Sequence, residues 1–362
     1  MKNINDLIKE LCPNGIKYKK LEDCLDYEQP TKYIVKSTEY DDSYKTPVLT
    51  AGQSFILGYT GETDGIYKAD SKNPVIIFDD FTTGFHWVDF DFKVKSSAMK
   101  MLRPKNNICF RYVFYAMSCI RFQASSHVRH WISVYSQFQI PIPPVEIQRE
   151  IAEILSTQDK LIELKQKLIE QKKQQKKWLM QNLLTGKIRL KGFEGEWEKV
   201  KLEEIFSSIN SGKSVKNEEN GIYSIYGSTG EIGKANSYDY DENIIIVARV
   251  GANAGSLYKI YNKCKISDNA LLIRINEKNS FLFIFYLLCQ INLRNLVFGS
   301  GQPLVTSGHI KKILTYIPFI EEQTAIAEIL SAQDREIELL EKELEQEKLK
   351  KRFLMNLLLS GK

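Results

Sequence analysis

Apolar residues along this chain follow two different rhythms. Over residues 143–187 and again over 318–362 they recur every three or four positions, first as Ile151, Leu155, Ile162, Ile169, Leu179 and Leu183, then as Ile326, Leu330, Ile337, Leu340, Leu344, Leu354 and Leu358. That spacing lays one apolar stripe along each of two long helices and predicts a coiled-coil seam. Pro143 and Pro318 stand where a helix can begin, and Gly186 and Gly361 where one can stop. About 38 residues at 1.5 Å each make a rod of roughly 55 Å. Elsewhere the rhythm changes to short unbroken runs, Val75-Ile76-Ile77-Phe78 and Ile244-Ile245-Ile246-Val247, set between Gly-rich turns, which predict buried strands. Aromatic-rich stretches near Arg111–Ile120 and Phe281–Leu296 predict further helices.

The two rods are copies of one another. Residues 143–187 and 318–362 align without a gap at an offset of 175, with about 25 of the 45 positions identical. Shared blocks include I-A-E-I-L-S-x-Q-D, from Ile151 and Ile326, and L-M-x-x-L-L-[ST]-G-K, from Leu179 and Leu354. The segments before each rod also open alike, Lys19-Lys20-Leu21-Glu22-Asp23 against Val200-Lys201-Leu202-Glu203-Glu204. A tandem duplication follows: globule 1–142, rod 143–192, globule 193–317, rod 318–362. Such a duplication can imitate a two-fold symmetric dimer within one chain. The first rod carries a net charge of +5 and the second −3, so pairing of unlike rods is favoured over self-pairing.

Composition narrows the chemistry. At 362 residues, 43% hydrophobic and 26% charged, the chain is long enough for two or more true cores. A net charge of +5 is too mild to hold a polyanion by charge alone, so any such role rests on local faces. Six scattered cysteines without a C-x-x-C pair suggest reduced thiols, and no apolar run reaches the length a bilayer needs, so a soluble cytoplasmic protein without a membrane partner is expected. Catalytic constellations are not evident. His127-x-x-His130 lacks a third metal ligand, and Gly212-Lys213-Ser214 lacks the earlier glycine of a phosphate loop. Glu163-x-Lys165 and Glu170-x-Lys172 have nuclease-like spacing but sit on a rod, and Pro143-Pro144 merely introduces that rod. No catalytic residue, metal or cofactor is assigned.

The globules offer side chains suited to DNA. Reading bases in the major groove needs Arg, Asn or Gln held firmly, backed by donors that reach phosphate. In the second globule Arg249, Asn253 and Ser256 follow the strand Ile244–Val247, and Ser300 and Gln302 lie in a Gly-rich turn after the helix. In the first globule Gln53, Asp80, Thr82, Thr83, His127 and Arg129 are the corresponding candidates. Phe85, Trp87, Phe90 and Phe92 alternate as strand core does.

Taken together, these features resemble the specificity subunit of type I restriction-modification enzymes. The resemblance is carried by the paired P-x-x-E-x-Q-x-x-I-A-E-I-L-S-x-Q-D blocks from Pro143 and Pro318, by the paired L-L-[ST]-G-K ends, by IIIVARVGANAGSLY and GSGQPLVTSGHIKKI in the second globule, and by VIIFDDFTTGFHWVDFDF and VRHWISVYSQFQIPIPP in the first. It covers essentially the whole chain. It implies an α+β fold with a pseudo-two-fold internal duplication: two α/β target-recognition domains of similar fold separated by two long antiparallel coiled-coil helices. It further implies a non-catalytic subunit whose two recognition domains each read one half of a split double-stranded DNA site, the helices setting the spacer. Expected partners are methyltransferase subunits, two of them, and ATP-dependent restriction subunits; S-adenosylmethionine, ATP and Mg would be held by those partners. Ile151, Leu155, Ile162, Leu179, Leu183, Ile326, Leu330, Ile337, Leu354 and Leu358 are the candidates for helix packing and partner docking. Two other readings stay open: a specificity subunit serving a partner that fuses methyltransferase and nuclease, and a coiled-coil structural adaptor.

Overall fold

The computed structural model describes residues 15–52, 54–122, 129–299 and 303–359. These divide into two compact units, residues 1–164 with 344–362, and residues 165–343. Each unit holds one globule and the parts of the two long helices that pack on it.

In the first unit a central sheet is ordered β2-β8-β5-β6 (Leu25–Glu28, Met99–Pro104, Val75–Asp79, Phe85–Val88), a second sheet β4-β3-β7 (Ile56–Thr60, Thr46–Leu49, Lys93–Val94), and a two-stranded ribbon pairs β1 (Lys17–Lys20) with β9 (Gln139–Ile142). Strand β5 is central and its first four residues are fully buried, which is why the sequence there is an unbroken apolar run. Its side chains alternate between two cores. Ile76 and Phe78 face helix α1 (Phe110–Ser118), while Val75 and Ile77 face the cluster that includes Leu49, Tyr67 and Phe92.

The second unit repeats this plan strand for strand. Its sheets are ordered β11-β17-β14-β15 (Phe206–Ser211, Ala270–Ile275, Ile244–Ala248, Leu257–Ile260) and β13-β12-β16 (Gly230–Ala235, Tyr223–Gly227, Cys264–Ile266), with β10 (Glu198–Lys201) paired to β18 (Leu314–Ile317). In both units the pairing of β3 with β7 and of β12 with β16 in the three-stranded sheet is parallel, and the other pairings between these strands are antiparallel. Ile245 and Val247 of β14 face helix α3 (Phe281–Ile291), and Ile244 and Ile246 face the opposite core. The mixed α+β duplication expected from the sequence is therefore present in the structure.

The rods are α2 (Val145–Leu183) and α4 (Ile320–Leu359). The first ends at Leu183 rather than continuing through the whole of 143–192. Gly186 takes the left-handed conformation at φ 69°, and the Ile188 N–H returns to the Asn182 carbonyl, which closes the helix end. A Cβ on Gly186 would lie 3.4 Å from the Trp197 ring.

Within each unit the two helices run antiparallel. In the second, Lys165, Lys172 and Lys173 of α2 each pair with a carboxylate of α4, Glu343, Glu336 and Glu341, at 2.6 Å. In the first, Gln158 donates to Glu347 at 2.7 Å and Lys351 pairs with Asp159 at 2.5 Å. Exposed pairs of this kind contribute little each, so their value lies in matching the unlike helices. Apolar burial carries the stability. Ile151, Leu155 and Leu358 join the core of the first globule, and Leu183, Ile326 and Leu330 that of the second. Ile337 is buried, whereas Ile162, Leu179 and Leu354 are half-buried.

Polar residues fixed in both copies of the repeat lock helix to globule. Gln148 accepts the Cys109 N–H and donates to the Pro143 carbonyl; Gln323, 175 residues on, accepts the Ser280 N–H and donates to the Pro318 carbonyl. Asp159 accepts from the Tyr115 hydroxyl at 2.8 Å, and Asp334 from the Tyr286 hydroxyl at 2.7 Å, with Lys176 also bound to Asp334. Burial pushes the Tyr115 hydroxyl up to about 12 and Tyr286 higher still, so both remain donors. Gln323→Ala leaves a backbone donor and acceptor unpaired in a buried place, and is expected to destabilise the second unit by about 1–3 kcal/mol in urea denaturation. Among the described residues, no helix is long and apolar enough to cross a membrane.

Candidate nucleic-acid interface

Equivalent turns of the two globules carry different chemistry. The strand registers set Asp79 opposite Met99 and Ala248 opposite Ala270, which makes Asp80 and Arg249 counterparts. Their backbone bonds agree: the Asp80 N–H donates to the Ala98 carbonyl and the Arg249 N–H to the Asn269 carbonyl. In turn, their own carbonyls accept from His130 and from Val305.

At the second globule the β14–β15 turn is built for close packing. Gly251 and Gly255 take positive φ, 79° and 84°, and a Cβ on Gly255 would lie 2.6 Å from the Arg294 backbone nitrogen. The Gly251 N–H donates to the Pro303 carbonyl, and the Ala248 N–H to that of Ser256. The Arg249 guanidinium, half-buried, donates through one terminal nitrogen to Ser211 Oγ at 3.3 Å and to the Asp268 carbonyl at 3.5 Å. Arg294, exposed after the end of α3, donates to Ser256 Oγ at 2.9 Å. Asn253 is half-buried, and its carbonyl accepts the Ser256 N–H. Arg249, Asn253 and Ser256 are thus brought together on one turn, and Arg294 and Ser211 join them although the sequence did not single them out.

The first globule corrects two expectations. Asp80 is no surface contact: it is 1% exposed, pairs at 3.1 Å with an equally buried Lys100, and accepts the Trp131 N–H at 2.7 Å. Thr83 is also buried, at φ 58°, and its hydroxyl donates to the Thr82 carbonyl, so neither side chain can meet a ligand. The physical reason lies in the turn. Asp79 Oδ1 accepts the N–H groups of Phe81 and Thr82, which folds the chain back and directs Asp80 inward. Thr82 and Arg129 stay exposed. Gln53, His127, Ser300 and Gln302 lie outside the described residues. Among the described residues, no group of three or more His, Cys, Asp or Glu could hold a metal.

Residues 13–174 and 194–348 each match a family model described as the type I restriction modification DNA specificity domain. The chain belongs to that family. Among its relatives, the EcoR124I/EcoR124II specificity subunit of Escherichia coli is 48% identical over 205 residues, which are 53% of this chain and 48% of that protein. The chain thus matches about half the length of that relative. The MjaVIII specificity subunit of Methanocaldococcus jannaschii is 33% identical over 317 residues, 74% of each protein. The crystal structure of a type I restriction-modification S subunit from M. genitalium superposes with a TM-score of 0.69 at 16% identity, over 96% of this chain and 97% of that one. A chain from a structural study of complex assembly in the type I R-M system gives 0.54 at 18% identity, over the same shares. These structural likenesses concern the fold. Both family matches end inside the long helices, so each match spans a globule together with most of the helix that follows it.

Proposed function

We propose that the chain is the non-catalytic DNA-recognition subunit of a type I restriction-modification enzyme, each globule reading one half of a bipartite site. The observation that carries this reading is the pair of globules with one topology and unlike side chains on equivalent turns. A scaffold repeated strand for strand, with Asp80 buried in an ion pair in one copy and Arg249 half-buried against neutral oxygens in the other, suits two readers with different targets. In this reading α2 and α4 set the spacing between the half-sites, so adding or removing helix turns changes the spacer. Methyltransferase subunits, two of them, and ATP-dependent restriction subunits supply the chemistry, with S-adenosylmethionine, ATP and Mg bound to them rather than to this chain.

Exposed apolar residues repeated on the two helices support docking of one partner twice. Leu164 and Leu339, 175 positions apart, are 53% and 60% exposed, and the aromatic pair Trp178 and Phe353, at the same offset, 53% and 64%. Nothing in either unit's core employs them, whereas Ile151, Leu155, Ile326 and Leu330 are enclosed by their own globules and cannot meet a partner. Trp178→Glu together with Phe353→Glu is expected to abolish co-purification of the methyltransferase while leaving thermal unfolding of the chain unchanged.

The reading itself is tested by a single-molecule methylome of cells expressing the chain with its methyltransferase, against cells expressing the methyltransferase alone. Methylation of a split site with a fixed spacer, present only with this chain, is the expected result. Soluble complex formation without any new methylated site overturns it and favours the adaptor reading.

A further inference from the structure

We propose that Arg249 and Arg294 form a two-arginine DNA contact in the second globule, Arg249 reading a guanine edge and Arg294 gripping the neighbouring backbone phosphate. The inference rests on the DNA-reading function proposed above and names the residues that carry it out in one half-site.

Charge is the first argument. Two other arginines of this unit are neutralised, Arg189 by two 2.7 Å bonds to Glu322 and Arg274 by Glu242 at 2.8 Å, while Arg335 on α4 donates to Ser331 Oγ at 3.5 Å. Arg249 and Arg294 are held differently, by hydroxyl and carbonyl oxygens of Ser211, Asp268 and Ser256, and among the described residues neither has a carboxylate within ion-pair distance. Neutral acceptors orient a guanidinium without cancelling its charge, an arrangement suited to meeting an anion or an electronegative base edge.

Geometry separates the two roles. Arg249 follows β14, all five of whose residues are buried, and one of its terminal nitrogens makes both protein contacts. Among the described residues the remaining nitrogens make no hydrogen bond, which leaves a fork of the shape that pairs with the O6 and N7 acceptors of guanine. Rigidity favours base reading, and the strand supplies it. Arg294 lies on a one-turn helix (Leu293–Leu296), is exposed, and spends a single nitrogen on Ser256. Its position is nonetheless fixed, because Gly255 packs directly against its backbone and the Ser256 carbonyl bonds to the Ala248 N–H, one residue before Arg249. A single charged donor of this kind holds phosphate and sets register. The counterpart of Arg249 in the first globule is the buried Asp80, so that half-site is read without this device.

The experiment uses the full chain assembled with its methyltransferase and a library of 60-base-pair duplexes with a randomised core. Wild type selects one bipartite sequence, which is then used for titrations. Arg249→Ala is expected to lose about 10–100-fold of discrimination at one guanine of a single half-site, with the other half-site unaltered. Arg294→Ala is expected to weaken binding about equally for matched and mismatched duplexes and to reduce the slope of log affinity against log salt by about one. Arg294→Lys retains most of that slope. If Arg294→Ala alters thermal stability but leaves affinity and salt slope at wild-type values, Arg294 is a brace for the loop and the proposal falls. Unchanged base preference in Arg249→Ala overturns the guanine assignment. A wild-type complex that selects no sequence is a different failure, since it removes the DNA-reading function beneath the proposal.

Discussion

Lys100→Met is expected to cost the first unit about 3–5 kcal/mol, because it strips the partner from a carboxylate enclosed in protein. Lys100 and Asp80 are each only 1% exposed, and their ion pair is backed by the Trp131 N–H on Asp80 and by the Tyr27 ring, whose centroid lies 5.4 Å from the Lys100 ammonium. Removing one charge leaves the other without water or counter-ion. Replacing both, Asp80→Asn with Lys100→Met, removes the stranded charge and is expected to recover more than half of the loss. Hydrogen exchange resolves the effect: amides of β5 and β8 lose protection in the single variant, while those of β14 and β17 keep theirs. Equal protection in the single variant and wild type would show that the pair contributes nothing. On the function proposed above, a chain with a weakened first globule is expected to lose one half-site before the other.

Leu155→Ala and Leu330→Ala form the second test. Both leucines have no exposed surface, both occupy the same repeat position, and each sits where a long helix enters its own globule. Truncation leaves a cavity among packed neighbours, for which about 2–5 kcal/mol is expected. The two cores share no residue, so the losses should fall on different units and add within experimental error. Scanning calorimetry of Leu330→Ala is therefore expected to show the melting of the second unit moved down by several degrees while that of the first holds its place, and Leu155→Ala the reverse. A single transition displaced equally by either substitution would mean that the units unfold as one.

Much of the fold was legible because its signals are local. The runs Val75–Phe78 and Ile244–Val247 are unbroken because both faces of a central strand are buried, and the rods announce themselves through a repeat whose glycine, Gly186, does close the first helix. What escaped depends on distant neighbours. Asp80 looks like an exposed turn residue until β8 sets Lys100 beside it, and that pairing depends on a strand register not written in either segment. Thr83 is buried by the local turn itself, its N–H bonding to the Asp79 carbonyl and its hydroxyl to that of Thr82. Arg294 gave no local signal because its importance comes from Gly255 and Ser256, 38 or more residues earlier. Gln148, Gln323, Asp159 and Asp334 were visible as invariant letters of the repeat, yet their purpose appeared only with the backbone donors and tyrosines they hold.

Those four residues have a consequence for how such a protein can change. Each long helix offers its globule the same socket: a glutamine that accepts the N–H just before a short helix, and an aspartate that takes a tyrosine hydroxyl from that helix's second turn. Neither demand touches the turns that face outward. On the DNA-reading function proposed above, a globule that keeps these bonds and the apolar contacts around Ile151 and Leu155 or Ile326 and Leu330 is expected to be exchangeable at the repeated segments, changing one half of the target. The duplication is thus a coupling standard, and heredity can trade the parts on either side of it.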